Sequence, residues 1–205
     1  MKKLPENFIL ERYGLQVRLV NEDDSEFIVS LRTDPRLSKF IHETSSNVED
    51  QKQWIRNYKK REVQGLDYYF MFSINNVRQG LARIYDITED SFMQGSWVFS
   101  PDAVLGASVL GNIISSEIGF ELDKKVLYTD ARRDNNTHRY VQSFSPEVVK
   151  TDEENIYYRI LPEGFNQGKV AHIKRCVKIM QQALGELNKK ILCVGENKSS
   201  ELGKN

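Results

Sequence analysis

The sequence has few cysteines and no long apolar run, and each shortage excludes a class of protein. Its two cysteines, Cys176 and Cys193, show neither a CxxC nor a His–Cys ligand spacing, so neither a disulfide framework nor a zinc site is predicted. No apolar stretch approaches the roughly 20 residues that span a bilayer, and residues 1–7 lead into no apolar leader segment. We therefore expect a cytoplasmic protein with two reduced thiols and no membrane partner.

Net charge and histidine are also scarce. The 29 basic residues balance 29 acidic ones, which gives no electrostatic reason to expect nucleic acid as a partner. Three scattered histidines form no metal-ligand pattern, so no metal is expected. The length of 205 residues allows one domain with an appendage. We predict a domain over residues 1–166 and a C-terminal helical extension with a disordered tail over 167–205.

Hydrophobic periodicity divides the chain into strands and helices. The last apolar stripe, over 168–190, predicts an amphipathic helix that packs either on its own sheet or on a second subunit of a homodimer. The tail over 197–205 is predicted to be disordered. The predicted strands cover 15–20, 68–74, 79–87, 92–99, 126–131, 147–150 and 155–161, and the predicted helices cover 21–34, 47–65, 106–119, 136–144 and 168–190.

This order of elements, with three local patterns, resembles the GNAT family of acetyltransferases over about residues 14–161. The segment SWVFSP at 96–101 is similar to the end of the fourth strand in the branch that acetylates ribosomal-protein N-termini and its sugar-modifying relatives. Gly106 precedes a helix, and RDNN at 133–136 is similar to the turn before the family's penultimate helix. The resemblance implies an α/β fold in which helices flank a mixed sheet of about seven strands, splayed open in the middle.

The resemblance also implies acetyl-CoA as co-substrate. A helix N-terminus offers N–H groups and a favourable dipole to a pyrophosphate. Ala103 stands where the family usually has Gln or Arg, so the side-chain cation is missing. The alternative is that Gly106 only serves a turn and Ser108 only caps a helix. Asn135 is expected to hold the CoA arm, and its alternative role is to cap the next helix. The N–H groups expected at the pyrophosphate are those of Gly106, Ala107, Ser108 and Val109.

Acetyl transfer to an amine needs a polarised thioester carbonyl, a proton for the departing thiolate and a base for the amine. By the resemblance, Trp97 and the backbone N–H of Val98 or Phe99 contact acetyl-CoA, and Tyr140 protonates the thiolate. The alternative for Tyr140 is packing against the sheet. Because strand 92–99 has no carboxylate, His42 in the loop after the first helices is the candidate base. A merely exposed histidine and proton loss through water are the alternatives.

The front of the chain bears on the acceptor. The segment LRTDPRLSKF at 31–40, followed by a loop and by 51–58, is similar to acetyltransferases that modify nucleotide-linked amino sugars, best known from pseudaminic acid synthesis. This implies N-acetylation of such a sugar for surface polysaccharides. A protein N-terminus or another small amine, and a GNAT-like fold that binds without turnover, stay open. Charge and stacking make four side chains candidates for the sugar nucleotide, with core packing as their alternative role: Trp54, Tyr58, Arg83 and Tyr85.

Overall fold

A computed structural model describes residues 2–37, 45–135 and 137–201, with side chains through Glu186 in the last helix. The strands are β1 (Ile9–Arg12), β2 (Leu15–Leu19), β3 (Tyr68–Ile74), β4 (Val77–Tyr85), β5 (Ser91–Phe99), β6 (Val126–Arg132), β7 (Glu147–Thr151) and β8 (Asn155–Ile160). The helices are α1 (Ser25–Arg32), α2 (Val48–Gln64), α3 (Ala107–Glu121), α4 (Thr137–Gln142) and α5 (Pro162–Glu201).

One mixed sheet of eight strands runs in the order β1-β2-β3-β4-β5-β6-β8-β7. Neighbouring strands are antiparallel except β5 and β6, which are parallel. The α/β fold that the resemblance implies is confirmed, but the sheet has eight strands where about seven were expected. The strand missing from the prediction is β1, which pairs with β2 through a turn at Tyr13 and Gly14, both with positive φ.

The central strands of the sheet are buried between two layers of helices. Side chains alternate along β3, so Phe70 packs with the cluster that contains α3 and α5, while Met71 packs with α1 and α2. Because both faces of β3 are covered, six of its seven residues are buried, and an almost continuous apolar sequence results.

Close packing fixes α3 on the sheet. A Cβ atom at Gly111 would lie 2.3 Å from the ring of Phe99, and one at Gly119 would lie 2.3 Å from the ring of Phe92. These two glycines, eight positions apart on one helix face, therefore let α3 approach β5 at a distance that no larger residue permits.

The C-terminal helix packs on α3 of its own chain. It begins at Pro162, six residues before the predicted start, and continues through Glu201. Its apolar face buries Phe165, Cys176 and Met180 in the main core. Lys169 also reaches buried Glu117 on α3, at 2.8 Å. None of the described helices combines the length and apolarity needed to cross a bilayer.

Candidate active site

The sheet splits between its two parallel strands. β5 and β6 pair over four residues only, from Ser91 opposite Val126 to Gln94 opposite Thr129, and we call this stretch the seam. Beyond the seam the two strands diverge into a wedge that holds a cavity of about 530 Å³. The walls of the cavity come mainly from β5, β6, α3, α4 and the end of α1, with single residues from β4, β8 and α5.

A β-bulge shapes the β5 wall of the wedge. Leu81 on β4 lies opposite Val98, but Arg83 lies opposite Gly95, so β5 contains one extra residue in this interval. Ser96, with φ of 47°, adopts the left-handed conformation there. Because β6 has already diverged, no described strand pairs with the cavity side of β5 at Gly95 and beyond. The predicted contacts Trp97, Val98 and Phe99 all line the cavity.

The start of α3 keeps free amide donors next to the cavity. Gly106 caps the helix in the left-handed region with φ of 92°. The N–H of Ala107 donates to the carbonyl of Val104 at 3.0 Å, so this predicted member of the cradle is already committed. Within the described residues, the N–H groups of Gly106, Ser108 and Val109 donate to no protein acceptor. Three of the four predicted donors thus fit an anion such as a pyrophosphate.

The C-terminal helix comes close to these donors. A Cβ atom at Gly106 would lie 2.7 Å from the carbonyl oxygen of Cys176 on α5. Glycine is therefore required at this position by space as well as by φ. Ala103, where the family usually has a cationic side chain or Gln, contributes only a main-chain contact here. Its N–H donates to the carbonyl of Ser100 and closes a turn.

Tyr140, on α4, lines the cavity. Its hydroxyl donates to Oδ1 of Asn112 at 2.7 Å, and its ring contacts Trp97 and His172 with centroids 5.3 and 5.0 Å away. Burial raises the pKa of the Tyr140 phenol well above its ordinary value. Nearby, Oδ1 of Asn135 accepts from the N–H of Thr137 at 3.1 Å. Asn135 therefore makes the capping contact that was its alternative role, while it also lines the cavity.

The predicted sugar-nucleotide residues form one stacked cluster over β4. The guanidinium of Arg83 lies between the rings of Trp54 and Tyr85, 5.1 and 4.8 Å from their centroids, and donates to both oxygens of buried Asp67. Tyr58 is 0% exposed and donates its hydroxyl to Glu62, which places it in the core. Of the four, Tyr85 alone lines the cavity. His42 lies outside the described residues.

No protein-family model and no curated protein matches the sequence. Among solved structures, the chain is similar to apo FdhC, described as a nucleotide-linked sugar GNAT, at 31% identity and a TM-score of 0.72 over 81% of this chain and 97% of that one. The chain belongs to the GNAT family. This makes it an acyltransferase, with the splayed sheet of that family.

Two further GNAT structures share the fold with this acyltransferase at lower identity. The ribosomal-protein-S5-alanine acetyltransferase from Vibrio fischeri is 15% identical, with a TM-score of 0.64 over 76% of this chain and 97% of its own. RimJ from Mycobacterium smegmatis, in complex with CoA-disulfide, is 13% identical, with a TM-score of 0.62 over 80% of this chain and 92% of its own. At these identities the likeness concerns the fold.

Most of the cavity lining of this GNAT acyltransferase escaped the sequence prediction, and Asp130 and Asn112 are among the residues missed. Asp130 follows the seam on β6, and Asn112 lies on α3. Leu127 and Ala131 of β6 face the α3 layer, so Asp130 projects to the opposite side, toward Tyr85. Burial raises the pKa of the Tyr85 phenol, and the negative charge of Asp130 raises it further.

The cavity therefore has two chemically different sides. We call them the α1 side, where Arg32, Tyr85 and Asp130 lie, and the α3 side, where Asn112 and Tyr140 lie. A carboxylate on one side and a phenol on the other are suited to take a proton from an incoming amine and to give one to a leaving group. Among the described residues, no group of three His, Cys, Asp or Glu side chains is placed to hold a metal ion.

Proposed function

We propose that this GNAT acyltransferase moves an acetyl group from acetyl-CoA to the amine of a nucleotide-linked amino sugar. The observation that carries the proposal is the similarity to FdhC, a nucleotide-linked sugar GNAT, at 31% identity over 97% of that chain. The wedge also contains groups of the right kind on both sides, with a carboxylate on the α1 side and a phenol on the α3 side.

The α1 side would hold the acceptor. The carboxylate of Asp130 accepts hydrogen bonds from the amine and removes its proton, which is the role first expected of a histidine in the loop after α1. The guanidinium of Arg32, in the same wall, suits the phosphates of a nucleotide. The ring of Tyr85 lies against Gly95 and offers a surface for the sugar.

The α3 side and the bulge would hold the co-substrate. Acetyl-CoA, when bound, supplies the acetyl group as an activated thioester. Main-chain N–H groups on the cavity side of β5 polarise its carbonyl. The free N–H groups of Gly106, Ser108 and Val109 bind the pyrophosphate. Tyr140 holds a proton on its hydroxyl oxygen for the departing sulfur, and its ring packs against Trp97 and His172.

Thiol release from acetyl-CoA tests the proposal. The purified protein is offered UDP- and dTDP-linked sugars with an amine at different ring positions, beside the same sugars with a hydroxyl in its place and peptides with N-terminal Ala or Ser. We expect CoA release with the amino sugars alone, and one added acetyl group on the product by mass spectrometry. Turnover with the peptides and not with the sugars would contradict the proposed acceptor and indicate a protein N-terminus instead.

A further inference from the structure

Asn112 is held in place by hydrogen bonds to its main chain. It is 6% exposed, in the middle of α3. Its carbonyl oxygen accepts from Nε2 of Gln94 at 2.8 Å, from the hydroxyl of Ser115 at 2.9 Å and from that of Ser116 at 3.1 Å. The bond from Gln94 comes from the last residue of the seam, so Asn112 is tied to the point where the wedge opens.

The side-chain amide of Asn112 has one atom that forms a hydrogen bond and one that donates to no described protein group. Oδ1 accepts the Tyr140 hydroxyl at 2.7 Å. Nδ2 donates to no protein group among the described residues, and Asn112 lines the cavity. A phenol hydroxyl can donate or accept, so either end of the amide can bond to it, and in the structure Oδ1 faces the hydroxyl. In this arrangement the phenol proton is directed at Asn112.

A tyrosine that gives up its proton in this place leaves a phenolate with little solvent around it. Such an anion is costly unless a donor replaces water. Trp97 already donates through Nε1 to the carbonyl of Ser108 at 2.9 Å. The titratable groups that face Tyr140 from α5 are His172 and Cys176, and Nε2 of His172 is bonded to Ser143. The amide of Asn112 is already in contact with the phenol oxygen and can supply the donor by turning.

We propose that Asn112 is a positioning residue that turns its amide by half a rotation as Tyr140 loses its proton. Before transfer, Oδ1 accepts the phenol O–H. During transfer that O–H bond breaks, an S–H bond forms on the departing thiolate, and the negative charge moves to the tyrosine oxygen. Nδ2 then donates to that oxygen until water returns the proton. The inference rests on the proposed function, because it assigns the proton of Tyr140 to the thiolate.

The phenol can be titrated without any substrate. Position 140 is replaced by 3,5-difluorotyrosine, whose pKa is lower than that of tyrosine, and its ionisation is followed by fluorine NMR. In Asn112→Asp the neighbour can only accept and carries charge, so we expect the pKa of the fluorotyrosine to rise by about one unit or more. Asn112→Leu, which removes the donor without adding charge, should raise it by less. Asn76→Asp, in the exposed turn between β3 and β4, adds the same charge far away and should leave it unchanged.

A pKa in Asn112→Asp within a few tenths of the parent would overturn the inference. If the buried substitutions prevent folding, Asn112→Ser removes the amide with a smaller change in volume and serves the same titration. This readout does not require turnover, so it separates a failure of Asn112 from a failure of the proposed transfer reaction.

Kinetics give the second readout. Asn112→Leu should lower kcat by about tenfold or more while KM for acetyl-CoA changes by less than about threefold. Tyr140→Phe should lower kcat further, and the double variant should be no slower than Tyr140→Phe, since both residues serve one proton transfer. Losses that multiply in the double variant would show that Asn112 acts elsewhere and would contradict the inference.

Discussion

Asp130 is one step beyond the seam, at the level where Gly95 leaves β6. Asp130→Asn keeps the shape of the side chain but removes the proton acceptor. We expect kcat/KM for the amine to fall by about 100-fold or more, the usual contribution of a general base, with acetyl-CoA affinity unchanged by calorimetry. The matched control is Asp86→Asn, at a turn with φ of 48° where asparagine is well tolerated. An Asp130→Asn enzyme as active as the Asp86→Asn enzyme would remove Asp130 from the mechanism.

Gly106 offers a second test at the scale of one residue. In Gly106→Ala, a Cβ atom must occupy the left-handed region and displace the carbonyl of Cys176. We expect the free energy of unfolding in urea to fall by about 1–3 kcal/mol. Gly185→Ala, where nothing lies within 4 Å, should leave it unchanged or raise it by up to about 1 kcal/mol. Equal stability of the two variants would mean that α5 does not pack on Gly106 in solution.

At the scale of elements, α5 should be bound mainly by its aromatic contact near Pro162. Phe165 is 1% exposed, and its ring lies 5.2 Å from Phe120 of α3 and 5.4 Å from Phe144. Phe165→Ala should lower the free energy of unfolding by about 3–5 kcal/mol. Val170→Ala, on the exposed face of the same helix, should change it by less than about 0.5 kcal/mol. Denaturant melts of both variants decide the question, and similar losses would indicate that α5 docks through another face.

The elements that could be predicted are those whose burial leaves a strong pattern. Asn47 and Gly65 mark the ends of α2 as predicted, because one caps the first turn and the other adopts φ of 78° after the last. β1 escaped prediction because it is an edge strand with no buried residue, so its sequence carries little periodicity. Pro162 was a readable start signal for α5 that the apolar stripe from 168 obscured.

The site was predictable where the chain itself brings residues together. The position of Gly106 follows from the local order of strand, turn and helix. The residue pairs that define the wedge do not follow from local order. Gln94 and Thr129 are 35 residues apart in the sequence, and Asn112 and Tyr140 are 28 apart. Asp130 becomes a site residue only through the register of β5 with β6, which no local pattern reveals. Tyr58 was misplaced for the converse reason, since aromatic spacing on a helix is the same for a core and for a binding surface.

For the whole molecule, raised tyrosine pKa values predict a loss of stability in alkali. Burial and a hydrogen bond to Glu117 raise the pKa of Tyr13 from 10.0 to about 12. Burial is also the first cause of the raised pKa of Tyr58, Tyr68, Tyr69, Tyr85 and Tyr140.

An unfolded chain loses these protons first, near pH 10. The stabilisation is therefore complete below pH 10 and is lost as the pH rises through the folded-state values. Urea unfolding should show a falling free energy from about pH 10 upward, with a shallower fall in Tyr13→Phe. A constant free energy up to pH 11 would contradict these pKa directions.

The thiol of Cys176 is a chemical probe for the local opening of α5. It is 7% exposed, and burial raises its pKa, so an alkylating reagent meets a reactive thiolate only in molecules whose helix has lifted away. In a Cys193→Ser background, the labelling rate of this one atom counts those events. Because the same residue places its carbonyl beside Gly106, a lower labelling rate on adding acetyl-CoA would show that a ligand at the start of α3 also holds α5 in place.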